Sequence, residues 1–224
     1  MRFKNTKSQT RKNDLKEKYA AFCDKVLIGC LFFATCIPII TIGASVAALY
    51  YAVTKVIKND EGYLFKSYMK AWKENMKQGI VLMLCAVLYA GIGIADVILV
   101  RGLAAAGHIP MIASSIIWVF FLPLILVLPW MFIYMSRFND TFPMIIKNSF
   151  RIAVSNPGKT LLLDLIIVIA VIMALFALPL VPFTAAYLCR WASDKAEPVL
   201  YEIAKNTPGF DPNAWYGRKG EEEE

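Results

Sequence analysis

Four long stretches that contain no charge, or one acid each, restrict what this chain of 224 residues can fold into. They cover residues 26–53, 79–100, 111–135 and 160–189. A helix needs about 20 apolar residues to cross a bilayer, so each stretch is long enough to cross one. Hydrophobic residues make up 58% of the chain and charged residues only 18%, too few to cover a soluble domain of this length. The sequence therefore predicts an all-α fold, a polytopic transmembrane helical bundle.

The basic residues between these stretches predict the orientation of the chain. Residues 1–25, 54–78 and 136–159 contain eight, six and four Lys or Arg, whereas the loop 101–110 contains only Arg101. Cytoplasmic segments of membrane proteins are enriched in Lys and Arg. We therefore expect the first three segments on the cytoplasmic side and the loop outside.

Three parts of the chain follow from this arrangement. Residues 1–25 form a basic cytoplasmic N-terminal tail, because they are too long and too charged for the start of a cleaved signal peptide. Residues 26–195 form the membrane domain. Residues 196–224 are acidic and end in four glutamates, a composition that predicts a flexible C-terminal tail, also on the cytoplasmic side.

Prolines interrupt the first and the last apolar stretch. If both flanking basic segments are cytoplasmic, residues 26–53 must cross the membrane an even number of times. Pro38 breaks a helix because it lacks a backbone donor, so the stretch can form a hairpin or a re-entrant pair. A single kinked span with the tail outside is the alternative, and the eight basic residues of the tail favour the hairpin. Pro179 and Pro182 interrupt the last stretch in the same way.

The residues at both breaks are candidate functional positions. Broken helices offer free backbone groups to a solute or an ion, which favours a role in lining a path for it through the membrane. Small residues around Gly43 favour the alternative, close helix packing. The candidates for helix-break packing or for a path are Pro38, Thr41, Gly43, Ser45, Pro179, Pro182 and Thr184.

Two intramembrane acids, Asp96 and Asp164, are further candidates, because ionisable groups inside a membrane are rare and often functional. Asp96 lies near the outer end of its stretch, and Asp164 lies one turn into its own, near Lys159. At these depths both can also reach the interface, so a structural role is the alternative.

Residues 62–78 and 142–156 show helical spacing with an apolar and a basic face, typical of helices that lie in the membrane interface. We expect their basic residues to contact anionic lipid headgroups. These residues are Lys66, Lys70, Lys73, Lys77, Lys147 and Arg151. Since the lysines flank the spans, lipid phosphate is the expected anion, and we expect no binding of nucleic acid.

The sequence contains few residues for catalysis or cofactor binding. Its five cysteines form no C-x-x-C pair, and His108 is the single histidine. Neither a G-x-G-x-x-G motif nor a phosphate-binding lysine motif occurs. We therefore expect no catalytic site, no metal and no cofactor.

The segment "IPIITIGASVAALYYAVTKVIKNDEGYLFKSYMKAWKENMKQ", residues 37–78, resembles the YesL-like family of small bacterial multi-pass membrane proteins, which contain a domain of unknown function. The resemblance is specific over these residues and looser over the other membrane segments. It implies a protein of the bacterial cytoplasmic membrane, of a kind that is often found beside carbohydrate uptake systems. It implies no catalytic residues.

These observations predict a non-enzymatic accessory or scaffold protein that contacts the lipid bilayer and a membrane transporter or sensor protein of carbohydrate uptake. The alternative is a small solute transporter or channel, with a path lined by residues 38–45 and 179–184. A polar cavity at mid-depth would indicate the transporter, and a closed, dry bundle would indicate the accessory protein.

Overall fold

The computed structural model describes the backbone of residues 3–58, 63–106 and 113–206, and this part of the chain contains helices and no strand. The seven α-helices are α1 (Phe3–Thr35), α2 (Ile42–Ala52), α3 (Leu64–Ala105), α4 (Ala113–Arg137), α5 (Phe142–Ser155), α6 (Pro157–Phe176) and α7 (Val181–Lys205). Short 3₁₀ turns cover Ile39–Thr41 and Leu178–Leu180, and a π-helical segment, Val53–Lys58, follows α2. The predicted all-α bundle is confirmed.

Three of the described helical segments are long and apolar enough to cross a membrane. They are Ile39–Ile57, Leu64–Ala105 and Pro157–Phe176, and Ile125–Arg137 in α4 is a shorter apolar helix. The first is mostly buried inside the bundle, whereas the apolar parts of the other two are largely exposed. This pattern is typical of a membrane protein, in which apolar side chains on the outer helices face lipid.

The first apolar stretch is broken at Pro38, as predicted, and the chain folds back there. Helix α1 ends at Thr35, and α2 begins at Ile42. The π-helical segment after α2 contacts α1, and Ile28 of α1 belongs to the same buried cluster as Val53. A single kinked helix would hold these two residues tens of ångströms apart, at about 1.5 Å per residue. Residues 26–53 therefore form a helical hairpin.

The last apolar stretch is broken at Pro179 and Pro182, again as predicted. Helix α6 ends at Phe176, and α7 begins at Val181. The two helices pack against each other, and α7 also packs along α1.

One prediction for residues 62–78 is wrong, because they are not a separate interfacial helix. Residues 64–78 continue without a break into the second apolar stretch and form the first part of α3, a helix of 42 residues, and Gly62 lies outside the described residues. At 1.5 Å per residue it is about 63 Å long, roughly twice the thickness of a bilayer core. The described residues offer no proline to break it, and its apolar face packs on α2 instead of lipid. The buried residues of this face are Leu64, Tyr68, Ala71, Asn75, Gly79 and Leu82.

Both predicted tails are helical over the parts that the structure describes. Helix α1 begins at Phe3, so most of the basic tail is the first half of a 33-residue helix. Helix α7 continues to Lys205, and Ala196, Leu200 and Ala204 are buried on its inner face. The predicted start of a flexible tail at residue 196 is therefore wrong for α7, and residues 207–224 lie outside the described part.

Two adjoining clusters of buried side chains form the core. The larger one surrounds Trp130 and joins α4 to α2, α3, α5, α6 and α7. The other surrounds Tyr51 and Tyr68 and joins α1, α2, α3 and α7. Helix α2 contributes to both clusters and nine of its eleven residues are buried, so it lies at the centre of the fold.

Candidate functional site: the helix breaks and a buried polar centre

The break at Pro38 is closed by side chains from its own chain. A helix end leaves backbone carbonyls without partners, and the carbonyl of Thr35 is one of these. It accepts a hydrogen bond from Thr41 Oγ1 at 2.7 Å and another from Ser45 Oγ at 3.1 Å. Thr41 Oγ1 also lies 2.7 Å from the carbonyl oxygen of Pro38, and both hydroxyl side chains are buried.

Helix α3 covers this break from one side. The hydroxyl groups of Thr35 and Tyr68 lie 2.6 Å apart, and Thr35 Oγ1 also donates to the carbonyl of Leu31 at 2.9 Å. Tyr68 is fully buried. The predicted residues Pro38, Thr41 and Ser45 are thus brought together in one hydroxyl-rich cluster.

Gly43 lets α2 and α3 approach closely just after the break. A Cβ atom at Gly43 would lie 2.6 Å from the carbonyl oxygen of Gly79 and 2.8 Å from the Phe132 ring. A Cβ atom at Gly79 would lie 2.6 Å from the backbone nitrogen of Ala44. Only glycine fits at either position without moving a backbone. Gly43 therefore packs helices together, as one of its two predicted roles requires.

The second break packs against a different helix. A Cβ atom at Gly29 of α1 would overlap the carbonyl oxygen of Pro182. Thr184 Oγ1 donates to the carbonyl of Leu180 at 3.0 Å, and Pro179 is exposed. The contacts of this break are thus with α1, whereas those of the first break are with α3.

A polar centre lies inside the bundle and joins α2, α4 and α7. It consists of Tyr50, Arg137 and Glu197, whose side chains converge on one carboxylate oxygen. Arg137 donates from Nε at 3.0 Å and from Nη2 at 2.9 Å to Glu197 Oε1, and the Tyr50 hydroxyl donates to the same atom at 2.8 Å. The side chains of Arg137 and Glu197 are only 2% and 7% exposed. The ion pair and its hydrogen bonds offset the cost of removing these two charges from water.

Sequence reasoning missed this centre. From the sequence, Arg137 is interpreted only as one of the basic residues of a cytoplasmic segment. Glu197 is interpreted as part of the C-terminal tail. One signal was present: Ser193, Glu197, Leu200 and Ala204 recur at helical spacing, and an acid on an otherwise small and apolar face indicates a buried partner. A single sequence cannot show which of the basic residues is that partner.

The π-helical segment after α2 carries a second buried cation, and hydrogen bonds hold the loop after α4. Lys55 is buried, and its Nζ donates to the Tyr51 hydroxyl at 3.3 Å. Asp140, in the loop between α4 and α5, accepts from the Tyr134 hydroxyl at 2.6 Å, and Gln78 of α3 donates to the Asp140 carbonyl at 3.0 Å. These bonds fix the loop against α3 and α4.

The two intramembrane acids have different surroundings. Asp96 is exposed on α3. Asp164 is half-buried on α6, and its Oδ2 atom is buried with no hydrogen-bond partner among the described residues. The structure places neither acid in the clusters at the breaks.

The predicted lipid-contacting cations lie mostly at the surface. Lys66, Lys73 and Lys77 on α3 are exposed, and Lys70 is half-buried. Lys147 and Arg151 are exposed on α5. Helix α5, Phe142–Ser155, is a separate helix with nearly the predicted bounds.

Comparison with known proteins gives one match, over residues 26–97, to the model of a family described as a protein of unknown function, DUF624. The matched region runs from the apolar end of α1 through α2 into α3. It includes the Pro38 break, the Gly43–Gly79 contact and Tyr50, but neither Arg137 nor Glu197. Comparisons with curated proteins and with solved structures gave no match. The match thus connects the first helical hairpin and α3 to an uncharacterised domain family.

Proposed function

We propose that this chain is a non-enzymatic integral membrane protein that serves as an accessory or scaffold component. In this proposal it acts through contacts between its membrane helices and a partner protein of the bacterial cytoplasmic membrane. The partner class, a carbohydrate uptake or sensing system, rests on the resemblance of residues 37–78 to the YesL-like family. The uncharacterised family matched over residues 26–97 is compatible with it.

The observation that supports this function best is the closed break at Pro38. A path for a solute would keep the backbone and hydroxyl groups of the break available to that solute. Instead, Thr41 and Ser45 donate to the carbonyl of Thr35, and Gly43 packs on the backbone of Gly79. The break therefore works as a packing joint between α1, α2 and α3.

The outer surface supports the same function. Helix α3 exposes apolar side chains along the whole of its second half; Leu88 and Ile92 are 66% and 60% exposed. Such a surface faces lipid or the helices of a partner. A scaffold needs this combination of a tightly packed interior and a long apolar outer face.

A second candidate function, a small transporter or channel, is favoured by one observation on α6. Asp164 Oδ2 is buried without a hydrogen-bond partner among the described residues. A carboxylate in this condition suits a transient cation or proton. In this case Asp164→Asn would abolish flux, whereas an accessory protein would show no flux to abolish.

Site-specific photocrosslinking in native membranes tests the proposal. A photoreactive amino acid at Leu88 or Ile92 is expected to give one dominant adduct with a membrane protein, identified by mass spectrometry. The matched control is position 48 inside the bundle, where Ala48 is fully buried and no intermolecular adduct is expected. Adducts with lipid alone at every exposed position of α3, together with solute flux in vesicles that contain only this protein, would contradict the scaffold function.

A further inference from the structure

Helix α5 presents three different surfaces around its axis. Its inner surface, Ile145, Ser149, Ile152 and Ala153, is buried against the core. An apolar stripe on the outside consists of Ile146, Phe150 and Val154, which are 40%, 51% and 64% exposed. A basic stripe, Lys147 and Arg151, is exposed beside it.

The spacing of these residues fixes the order of the surfaces around the helix. Residues four apart lie on one face, so Ile146, Phe150 and Val154 form a continuous stripe. Lys147 and Arg151 each follow a stripe residue by one position, which rotates them by about 100° away from the core side. Around the helix, the order is therefore core, apolar stripe, basic stripe and then the polar edge at Ser155.

This order fits a membrane surface. A helix in the interface buries an apolar stripe at the level of the acyl chains and keeps cations at the level of the phosphates. Helix α5 is also joined directly to a candidate span, since α6 begins at Pro157, two residues after Ser155. Gln78 of α3 donates to the Asp140 carbonyl in the loop that precedes α5, and Lys73 and Lys77 of the same helix are exposed. Because α5 is connected directly to a candidate span, it lies close to the bilayer surface if α6 crosses the membrane.

We propose that the outer face of α5 lies on the anionic leaflet of the membrane and anchors the α4–α6 region at its surface. The apolar stripe enters the region between headgroups and acyl chains, and Lys147 and Arg151 contact lipid phosphates. The inner face stays on the core, so the anchor sets the depth of the bundle without a rearrangement of the fold.

Fluorescence of the full chain in lipid vesicles tests this proposal. A Phe150→Cys variant on a cysteine-free background is labelled with an environment-sensitive dye and reconstituted into vesicles of phosphatidylcholine and phosphatidylglycerol, with iodide on both sides. The dye is expected to be quenched by a lipid-borne nitroxide and protected from iodide. Ser155→Cys, on the polar edge of the same helix, is the matched control and is expected to show the opposite pattern.

The anionic preference is tested by a second pair of variants. Each cation near an anionic surface favours the bound state about fivefold in the binding equilibrium. Lys147→Gln with Arg151→Gln is therefore expected to raise iodide quenching at position 150 about twofold or more in the mixed vesicles. Lys16→Gln with Lys205→Gln removes two exposed cations from α1 and α7 and is expected to leave it unchanged.

Two results would overturn the proposal. Equal iodide quenching at positions 150 and 155 would show that the stripe faces water, as it would if it bound a soluble protein. Equal protection of position 150 in pure phosphatidylcholine, with no effect of the α5 variants, would show that α5 does not prefer anionic lipid. Circular dichroism of every variant confirms that the fold is retained before either result is interpreted.

Discussion

Glu197 is the residue whose replacement tests the buried polar centre most sharply. Its Oε1 atom accepts two hydrogen bonds from Arg137 and one from Tyr50, and both charged side chains are almost fully buried. Glu197→Gln removes the negative charge and keeps the shape. The buried guanidinium of Arg137 then faces a neutral amide in place of the carboxylate.

The expected cost follows from this burial. Removal of one partner of a buried ion pair destabilises a protein by about 3–5 kcal/mol. The amide oxygen of glutamine still accepts hydrogen bonds, so we expect the lower end, about 3 kcal/mol, which changes the unfolding equilibrium about a hundredfold. Replacement of both partners, Arg137→Met with Glu197→Met, is expected to cost less than the sum of the two single Met changes, because it removes both charges of the pair together. The buried Tyr50 hydroxyl loses its acceptor, so a cost of about 1–3 kcal/mol remains.

Equilibrium unfolding in mixed micelles, followed by circular dichroism, measures these changes. The matched control is Glu202→Gln, an exposed acid on the same helix, for which we expect a change within about 0.5 kcal/mol. If Glu197→Gln costs no more than this control, the pair does not hold α4 and α7 together. The same follows if the double variant loses more unfolding free energy than the single variants Arg137→Met and Glu197→Met lose in sum.

Two other contacts lead to predictions with the same unfolding assay. Gly43→Ala is expected to cost about 1–3 kcal/mol, because its Cβ atom would meet the Gly79 carbonyl oxygen at 2.6 Å. Gly91→Ala is its control, because the added Cβ atom would meet nothing within 4 Å apart from its own turn of backbone. It should be neutral or stabilising by about 0.5–1 kcal/mol, and equal losses at both glycines would refute the packing argument. Trp130→Phe removes the 2.9 Å bond from Nε1 to Thr160 Oγ1 and leaves space in the core, so we expect a loss of about 1–3 kcal/mol, and a loss below this range would show that the bond contributes little.

The sequence was sufficient for the features that depend on local composition. The apolar runs predicted the membrane-type helices, Pro38 and Pro179 predicted where two of them break, and the spacing of residues 142–156 predicted α5. These patterns extend over one or two helical turns or over the length of one helix. A single sequence is enough to show them.

Features that depend on contacts between distant segments could not be predicted in this way. Residues 62–78 have the composition of an interfacial helix, but nothing at Gln78 or Gly79 ends the helix, and α2 covers its apolar face. Arg137 and Glu197 are 60 residues apart, so no local pattern connects them. The close approach at Gly43 likewise depends on Gly79, on another helix.

The central claim, a closed packing joint at the Pro38 break, is tested most directly by the water accessibility of position 45. Ser45 is fully buried, and cysteine replaces it with little change in size. A Ser45→Cys variant on a cysteine-free background is treated in membranes with a small hydrophilic thiol reagent, and Lys73→Cys, at an exposed position, is the control. The closed joint predicts that position 45 reacts only after unfolding in detergent. Reaction in the folded protein at a rate close to that of position 73 would show a water-filled path at the break and contradict the account.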